Sequence, residues 1–253
     1  MNNIQTILIT GGTGKVGSQL VKHFLKNDVN IVFLSKTQEE VDFFITTINK
    51  TQNILGFAID LVDKNSILKI LSFLEKKQAI PNYLINCARN LDNLKTDTNG
   101  ITQRKEWINE LTLDVIIPYE LSMALAKQSN SKLEGIINIS SMYGVVPPNP
   151  NLYKNPELES PIQYGVAKAA QIHLTKELAI RLAPKNIKVN AISFGGIEGR
   201  VDKEFKKKYA KLCPLERMLK EDEVIGAVDF LISKHSTYIT GHNLIVDGGW
   251  SVW

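Results

Sequence analysis

An apolar run followed by a glycine-rich turn decides the fold: Thr6-Ile7-Leu8-Ile9-Thr10-Gly11-Gly12-Thr13-Gly14-Lys15-Val16-Gly17. The apolar run predicts a buried strand, and the residues from Lys15 onward have helical periodicity. Glycines between a strand and a helix allow a tight turn and close approach of a ligand to the backbone, so that a pyrophosphate lies at the positive end of the helix dipole. The stretch therefore predicts a dinucleotide site, and the alternative is a tight turn with a structural role only.

Short apolar runs alternate with longer helical patterns along the chain. Such alternation predicts βαβ units, with a parallel sheet that has helices on both faces. At 253 residues, of which 43% are hydrophobic, we expect one α/β domain spanning 1–253. Strands are predicted at 6–9, 29–34, 54–58, 83–86, 135–139, 187–192 and 243–246, and helices at 15–27, 39–50, 64–77, 103–127, 163–182 and 221–232.

The composition excludes several classes of function. The net charge of +4 is small and the lysines are spread along the chain, which gives no nucleic-acid footprint. No apolar run approaches the roughly 18 residues of a membrane span, and residues 5–10 read as a strand rather than a signal peptide. Cys87 and Cys213 have no metal-ligand or disulfide spacing, and the histidines form no metal constellation. We therefore expect no bound metal, no membrane partner and a reducing, cytoplasmic location.

A tyrosine and a lysine at helical spacing form the candidate catalytic pair. Tyr164 and Lys168 are four residues apart at the start of an alanine-rich helix, which places a phenol and an ammonium on the same face. A positive charge beside a phenol favours the phenolate, so the tyrosine can exchange a proton near neutral pH. The preceding apolar run ends in Ser140-Ser141. Because this spacing alone is common, it needs support from the rest of the chain.

Taken together, these motifs resemble the short-chain dehydrogenase/reductase family along nearly the whole chain. The resemblance implies a single Rossmann-type, doubly wound sheet of seven parallel strands with helices on both faces. The residues that carry the resemblance are the glycine turn 10–17, Asp60, Asn86-Cys87-Ala88, Ser141, Tyr164, Lys168, the run 188–192 and the C-terminal run 240–249.

The resemblance implies an enzyme that transfers a hydride between a nicotinamide cofactor and a carbonyl or alcohol. It implies that Tyr164 is the general acid or base, that Lys168 binds the nicotinamide ribose and favours the phenolate, and that Ser141 hydrogen-bonds the substrate oxygen. Ser140 is expected to line the strand end. The implied cofactor-binding residues are Thr10, Gly11, Gly12, Thr13, Gly14, Lys15, Val16, Gly17, Ser35, Lys36, Asp60, Leu61, Asn86, Cys87, Ala88, Tyr164, Lys168, Gly195, Gly196 and Ile197.

Two departures from the family pattern lie close to this chemistry. Alignment of Trp107 with the family's usual aromatic residue places Asp114 where an asparagine normally supports a water chain to the lysine. We expect Asp114 to hold Lys168 or its water, and its negative charge would oppose formation of the phenolate. Arg89 stands where the family normally has glycine. The proton relay is therefore predicted to be present but altered.

The charge of the residues at the end of the second strand indicates which nicotinamide cofactor is bound. An acidic side chain there would bind the ribose hydroxyls of NAD, and a basic one would accommodate the 2′-phosphate of NADP. The chain has Ser35 and Lys36 at this point, with no carboxylate before Glu39, and Lys15 adds a second cation. NADP is therefore the predicted cofactor, with NAD as the alternative.

Two segments are predicted to shape the substrate pocket. The stretch 142–163 between Ser141 and Tyr164 is longer than the family usually shows and carries five prolines. Its tyrosines, asparagines and lysine suit a polyhydroxylated or charged ligand, and the alternative is a packing loop at a subunit contact. The segment 195–215, with 201–213 helical, is implied to be a lid whose paired glycines give it hinge freedom.

The long loop and the tail 247–253 resemble a subgroup linked to bacterial flagellin glycosylation and nonulosonic sugar synthesis. The predicted function is hydride transfer on a sugar or sugar-derived carbonyl or alcohol, by an enzyme that the family resemblance implies is a homotetramer. One alternative is a reductase of 3-oxoacyl thioesters. Another, from a different class, is a nucleotide-binding sensor or scaffold with weak catalysis.

Overall fold

In the computed structural model, which describes residues 5–27, 29–48, 53–199 and 201–252, seven strands form one parallel sheet. They are β1 (Thr6–Thr10), β2 (Asn30–Ser35), β3 (Ile54–Ala58), β4 (Tyr83–Asn86), β5 (Gly135–Ser141), β6 (Lys188–Phe194) and β7 (Asn243–Val246). The order across the sheet is β3-β2-β1-β4-β5-β6-β7, and every neighbouring pair is parallel. This confirms the predicted Rossmann-type sheet.

Nine α-helices connect or flank the strands in the described residues. They are α1 (Lys15–Phe24), α2 (Gln38–Thr47), α3 (Ser66–Lys76), α4 (Arg104–Leu111), α5 (Ile117–Lys127), α6 (Pro156–Glu159), α7 (Ile162–Leu182), α8 (Lys203–Leu212) and α9 (Val224–Ile232). The predicted end of the second helix, at residues 49–50, lies outside the described residues. The region predicted as a single helix at 103–127 contains a π-helical turn at Thr112–Ile116, which separates α4 from α5.

Each face of the sheet has its own apolar layer, because alternate side chains of a strand point to opposite faces. On one face, Ile7 and Ile9 of β1 pack with residues of α1, α2 and α9 such as Leu20 and Val228. On the other face, Leu8 packs with residues of α3, α5 and α7 such as Ile70, Leu121 and Leu178. The doubly wound arrangement is confirmed, since helices cover both faces. Among the described residues, none of the helices combines the length and apolar character that a membrane crossing requires.

The topology fixes where a ligand can bind. The strand order changes direction between β1 and β4, because the chain runs outward through β2 and β3 and then returns to the other side of β1. In open α/β sheets the loops on either side of such a point leave a crevice at the carboxyl ends of the strands. The glycine turn after β1, the segment after β4 and the end of β5 all meet there.

Candidate active site

The glycine turn is built so that a ligand can approach its backbone. Gly11 has φ of +68°, and a Cβ atom there would lie 2.7 Å from the Cα of Ala88. A Cβ atom on Gly17 would lie 2.2 Å from the carbonyl oxygen of Gly11. Helix α1 starts after Gly14 without a side-chain cap, so its first N–H groups are available to an anion. The turn therefore fits a dinucleotide pyrophosphate.

A cleft of about 930 Å³ runs along the carboxyl ends of the strands and brings together most of the predicted site residues. The predicted residues that line it are Gly11, Thr13, Gly14, Lys15, Val16, Gly17, Ser35, Lys36, Asp60, Leu61, Cys87, Ala88, Ser141, Tyr164, Lys168, Gly195, Gly196 and Ile197. Among the described residues, no group of three or more His, Cys, Asp and Glu side chains is placed to hold a metal ion.

Four predicted site residues lie behind the wall of the cleft. Thr10 accepts hydrogen bonds at Oγ1 from the backbone N–H groups of Cys87 and Ala88, so it fixes the segment after β4. Gly12 packs against β2, where a Cβ atom would lie 2.5 Å from the Cβ of Phe33. Buried Asn86 donates to Asn138 Oδ1. Asp114, the fourth of these residues, is buried beside Lys168 and so supports the site from behind.

A carboxylate occupies the far end of the cleft, beside the end of β2. Glu40 accepts hydrogen bonds from Ser35 Oγ at 2.5 Å and from the backbone N–H of Lys36 at 3.1 Å. It belongs to a capping box with Thr37, the N-cap residue of α2. The Lys36 ammonium lies 3.5 Å from Asp60 Oδ2. Ser35 and Lys36, the two residues at the end of β2 that were predicted to select the cofactor, therefore both have acidic neighbours.

Lys15 is directed toward the predicted lid rather than toward the end of β2. Its ammonium donates to the backbone carbonyl oxygens of Glu198 and Ile197, and it lies 3.8 Å from Glu221 Oε1. These contacts join the glycine turn to the segment after β6. Lys15, which was predicted to lie near a 2′-phosphate, thus binds the lid segment in this conformation.

Three predicted catalytic side chains face the middle of the cleft. Ser141 ends β5, and its Oγ accepts from the backbone N–H of Tyr143 at 3.2 Å. Tyr164 and Lys168 lie in the first two turns of α7, and all three residues line the cleft. Ser140 instead donates to the carbonyl oxygen of Lys168 at 3.1 Å, which ties β5 to α7.

The Lys168 ammonium is fully engaged inside the protein. It donates to Asp114 Oδ1 at 2.9 Å, to the carbonyl oxygen of Ile139 at 3.0 Å and to Gln171 Oε1 at 3.4 Å. Burial is the largest single influence and acts to lower the pKa of Lys168, but Asp114 and Tyr164 together outweigh it and the pKa is raised. Asp114 thus contacts the lysine directly, in an ion pair in which both side chains are about 95% buried or more.

Two cations flank the Tyr164 ring. The guanidinium carbon of Arg89 lies 4.5 Å from the ring centre, and the Lys168 ammonium nitrogen lies 5.8 Å from it. Arg89 is exposed and lines the cleft. The substitution of the family's usual glycine therefore adds a positive charge directly above the candidate catalytic tyrosine. Burial raises the pKa of the nearby Cys87 thiol to about 12, which keeps that thiol neutral.

The long loop and the predicted lid pack against each other and form one wall of the cleft. The hydroxyls of Tyr143 and Tyr153 are 2.7 Å apart. The Tyr153 ring meets the Phe205 ring edge-on at 5.9 Å, which connects the loop to α8. Tyr209 accepts from the backbone N–H of Gly196 at 2.9 Å and stacks on Trp250 at 4.4 Å. Aromatic contacts therefore fix the shape of this wall.

Several residues of this site were not predicted from the sequence. Glu110 is 1% exposed and lies one helical turn before Asp114. The only sign of Glu110 in the sequence is its spacing of four residues from Asp114, which places the two acids on one side of a helix. Glu40, Gln171 and Tyr209 were also missed, because none belongs to a motif that the resemblance supplied.

Fold and cleft together define a class: a Rossmann-type oxidoreductase that uses a nicotinamide dinucleotide. A family model described as enoyl-(acyl carrier protein) reductase matches residues 14–251. The chain belongs to the short-chain dehydrogenase/reductase family. A solved relative is the short-chain dehydrogenase of Leptospira borgpetersenii with bound NAD+, which is 33% identical, has a TM-score of 0.86, and is matched over 98% of this chain and 93% of its own.

Two curated relatives differ in what their names say they do. The post-translational flagellin modification protein A of Campylobacter coli is 30% identical over 97% of this chain and 98% of its own length. A 3-oxoacyl-(acyl-carrier-protein) reductase of Buchnera aphidicola is 29% identical over 97% of this chain and 96% of its own length. The similarity to the flagellin protein supports the predicted subgroup, and neither relative establishes the predicted preference for NADP.

Proposed function

We propose that Tyr164, Lys168, Ser141 and Asp114 are the residues that carry out catalysis, on a sugar or sugar-derived carbonyl or alcohol. The observation that carries the proposal is the single cleft in which the glycine turn, Ser141, Tyr164 and Lys168 meet. When bound, the nicotinamide supplies or accepts the hydride. Tyr164 gives a proton to the substrate oxygen in reduction and takes it back in oxidation. Ser141 orients that oxygen, and Lys168 supplies a fixed positive charge behind the tyrosine.

The cleft wall supports a polar substrate. Besides the catalytic residues it presents the guanidinium of Arg89, the polar residues Asn90 and Asn109, and the hydroxyl pair of Tyr143 and Tyr153. Hydroxyls and amides recognise the hydroxyls of a sugar, and a guanidinium recognises a phosphate or carboxylate. The similarity to the flagellin modification protein supports a role in surface-glycan or flagellin-glycan synthesis.

A second candidate is reduction of a 3-oxoacyl thioester. The Buchnera relative supports it, as do the apolar side chains of Val201, Phe205 and Met218 on the lid side of the cleft. A third, a nucleotide-binding sensor or scaffold, would bind the cofactor without turnover.

The test is oxidation of NADH and NADPH in the presence of phosphorylated sugars, nucleotide-linked sugars and acetoacetyl thioesters. Turnover of sugars supports the proposal, turnover of thioesters alone supports the reductase, and binding without turnover supports the sensor.

For the cofactor, the charges at the end of β2 lead us to propose NAD rather than the NADP predicted from the sequence. Glu40 places a carboxylate beside Ser35, where it would repel a 2′-phosphate and accept from a ribose hydroxyl. Lys15 is held by the lid segment, and Lys36 is close to Asp60. The Leptospira relative with bound NAD+ is consistent with this choice. Comparison of kcat/KM for NADH and NADPH tests it, and a preference for NADPH would contradict it.

We propose a homotetramer, as the family resemblance implies. Exposed apolar side chains follow one another along α4, the π-helical turn and α5, namely Ile108, Ile116 and Tyr119. Val166 and Ile180 add exposed apolar surface on α7. Helix faces of this kind suit packing against a second copy of the chain. Light scattering coupled to size-exclusion chromatography is expected to give four times the chain mass, and a monomer would contradict the proposal.

A further inference from the structure

Two carboxyl groups are buried behind Lys168, although the lysine can pair with only one. Glu110 lies in the last turn of α4, and Asp114 lies four residues later within the π-helical turn, so the two project from about the same side of the helix. Their relative exposures are 1% and 2%. A π-helical turn inside a helix is rare and frequently marks a functional site.

The hydrogen bonds around this cluster leave no cation for Glu110. An ammonium has three donors, and those of Lys168 go to Asp114, to the carbonyl oxygen of Ile139 and to Gln171. Within the described residues, Glu110 Oε2 and Asp114 Oδ2 have no hydrogen-bond partner. The Glu110 carboxyl has a hydrogen bond with the Asn93 side chain. An ionised carboxylate without a counter-ion is costly to bury, and a carboxylic acid is not.

We propose that Glu110 is a neutral carboxylic acid in the resting protein, behind the ion pair of Asp114 and Lys168. This inference rests on the proposed roles of Tyr164 and Lys168. Glu110 is a positioning residue, since it acts on the Asp114–Lys168 pair and lies away from the reacting atoms. While it holds its proton, Glu110 carries no charge that competes with Asp114 for the Lys168 ammonium.

Loss of this proton is expected to affect turnover through charge. With Glu110 ionised, a second negative charge faces the Lys168 ammonium and weakens the positive charge that Lys168 presents to Tyr164. Glu106 lies one turn before Glu110 on α4 and is half-buried, and its Oε2 atom is buried without a hydrogen-bond partner within the described residues.

The electrostatic surroundings agree with this geometry. Burial, with the charge of Asp114 adding to it, raises the pKa of Glu110 to about 7. The groups that face Glu110 from neighbouring elements are Lys168 of α7, Arg89 of the segment after β4 and the Asn93 side chain, and each of them favours the carboxylate. Glu106 and Asp114 are the acids on its own helix. Desolvation and Asp114 outweigh the opposing groups, so the proton stays bound up to near neutral pH.

The test begins with the cofactor-free protein. A carbon-13 NMR titration of glutamate carboxyls is expected to show one signal with a midpoint near 7, which disappears in Glu110→Gln. In Asp114→Asn the same signal is expected to titrate at lower pH, because the Asp114 charge is gone and the Lys168 charge is then free to stabilise the Glu110 carboxylate. A Glu110 signal that titrates with the exposed glutamates overturns the proposal, whatever the enzyme turns over.

Kinetics supply the second readout. With a substrate found in the panel, a plot of log kcat/KM against pH is expected to change slope near the same pH for the wild type. This change of slope is expected to be absent in Glu110→Gln. Glu120→Gln, a change of an exposed glutamate on α5, is the matched control and should keep the wild-type profile. An unchanged profile in a folded Glu110→Gln protein overturns the link to turnover. Failure of the wild type on every substrate contradicts the proposed function and leaves the titration result standing.

Discussion

The replacement of Glu110 by glutamine should change the pH dependence of folding stability, with a sign and size that follow from the buried carboxyl. In the folded protein the pKa of Glu110 rises from its ordinary value of 4.5 to about 7, first because of burial and then because of Asp114. Each pKa unit corresponds to about 1.4 kcal/mol, so the rise is worth about 3 kcal/mol at most.

The direction is set by proton binding. A group whose pKa is higher in the folded state stabilises the fold below the unfolded pKa, and that contribution is lost as the pH rises through the folded pKa. Wild-type protein therefore loses up to about 3 kcal/mol from this group between roughly pH 4.5 and pH 8. Glutamine at position 110 cannot ionise, so the Glu110→Gln protein does not lose this contribution. As the pH rises over this interval, its free energy of unfolding should therefore increase relative to that of the wild type by up to about 3 kcal/mol.

Urea unfolding at several pH values measures this difference. All proteins must be compared at one concentration, because assembly contributes to apparent stability. Glu120→Gln should follow the wild type throughout, since its side chain is exposed. A stability difference between Glu110→Gln and wild type that stays constant with pH would refute the buried-acid account.

Three further changes test other parts of the site. Gly17→Ala should abolish NADH binding, measured by fluorescence, because the added Cβ would lie 2.2 Å from the Gly11 carbonyl oxygen. Normal binding would show that the turn is not the dinucleotide site. Glu40→Gln should raise kcat/KM for NADPH relative to NADH by about five- to tenfold, the effect of roughly 1 kcal/mol for an exposed charge, whereas an unchanged ratio would remove Glu40 from cofactor selection. Arg89→Met should raise KM about tenfold or more for a phosphorylated or carboxylated substrate and leave that of its neutral analogue unchanged. Equal effects on both substrates would contradict anion binding by Arg89.

The fold could be predicted from the sequence because its signals are local and repeated. All seven strands were predicted, although β1, β2, β5 and β6 extend beyond their predicted ends into residues such as Thr10, Ser35 and Ser141. The π-helical turn at Thr112–Ile116 could not be predicted, because a one-residue shift within a single turn is indistinguishable from an irregularly spaced apolar face. The effect of this turn on the position of Asp114 is therefore evident only from the structure.

The site was predictable only where a motif marks it. Tyr164, Lys168 and Ser141, which motifs mark, line the cleft, and Asp114 contacts Lys168, but no motif marks Glu110, the second buried carboxyl. Glu40 was missed for a different reason. In the sequence Glu40 lies five residues beyond Ser35, whereas in the structure the capping box with Thr37 turns its side chain back to the end of β2. That box is readable in the sequence as a threonine followed by glutamate at the third position.

The most direct test of the central claim compares wild type with Tyr164→Phe in the oxidation of NADH or NADPH by a carbonyl substrate from the panel. Removal of one hydroxyl should lower kcat by about a hundredfold or more, because the substrate oxygen loses its proton donor, while the dissociation constant for the cofactor stays unchanged. Turnover by Tyr164→Phe at the wild-type rate would contradict the account.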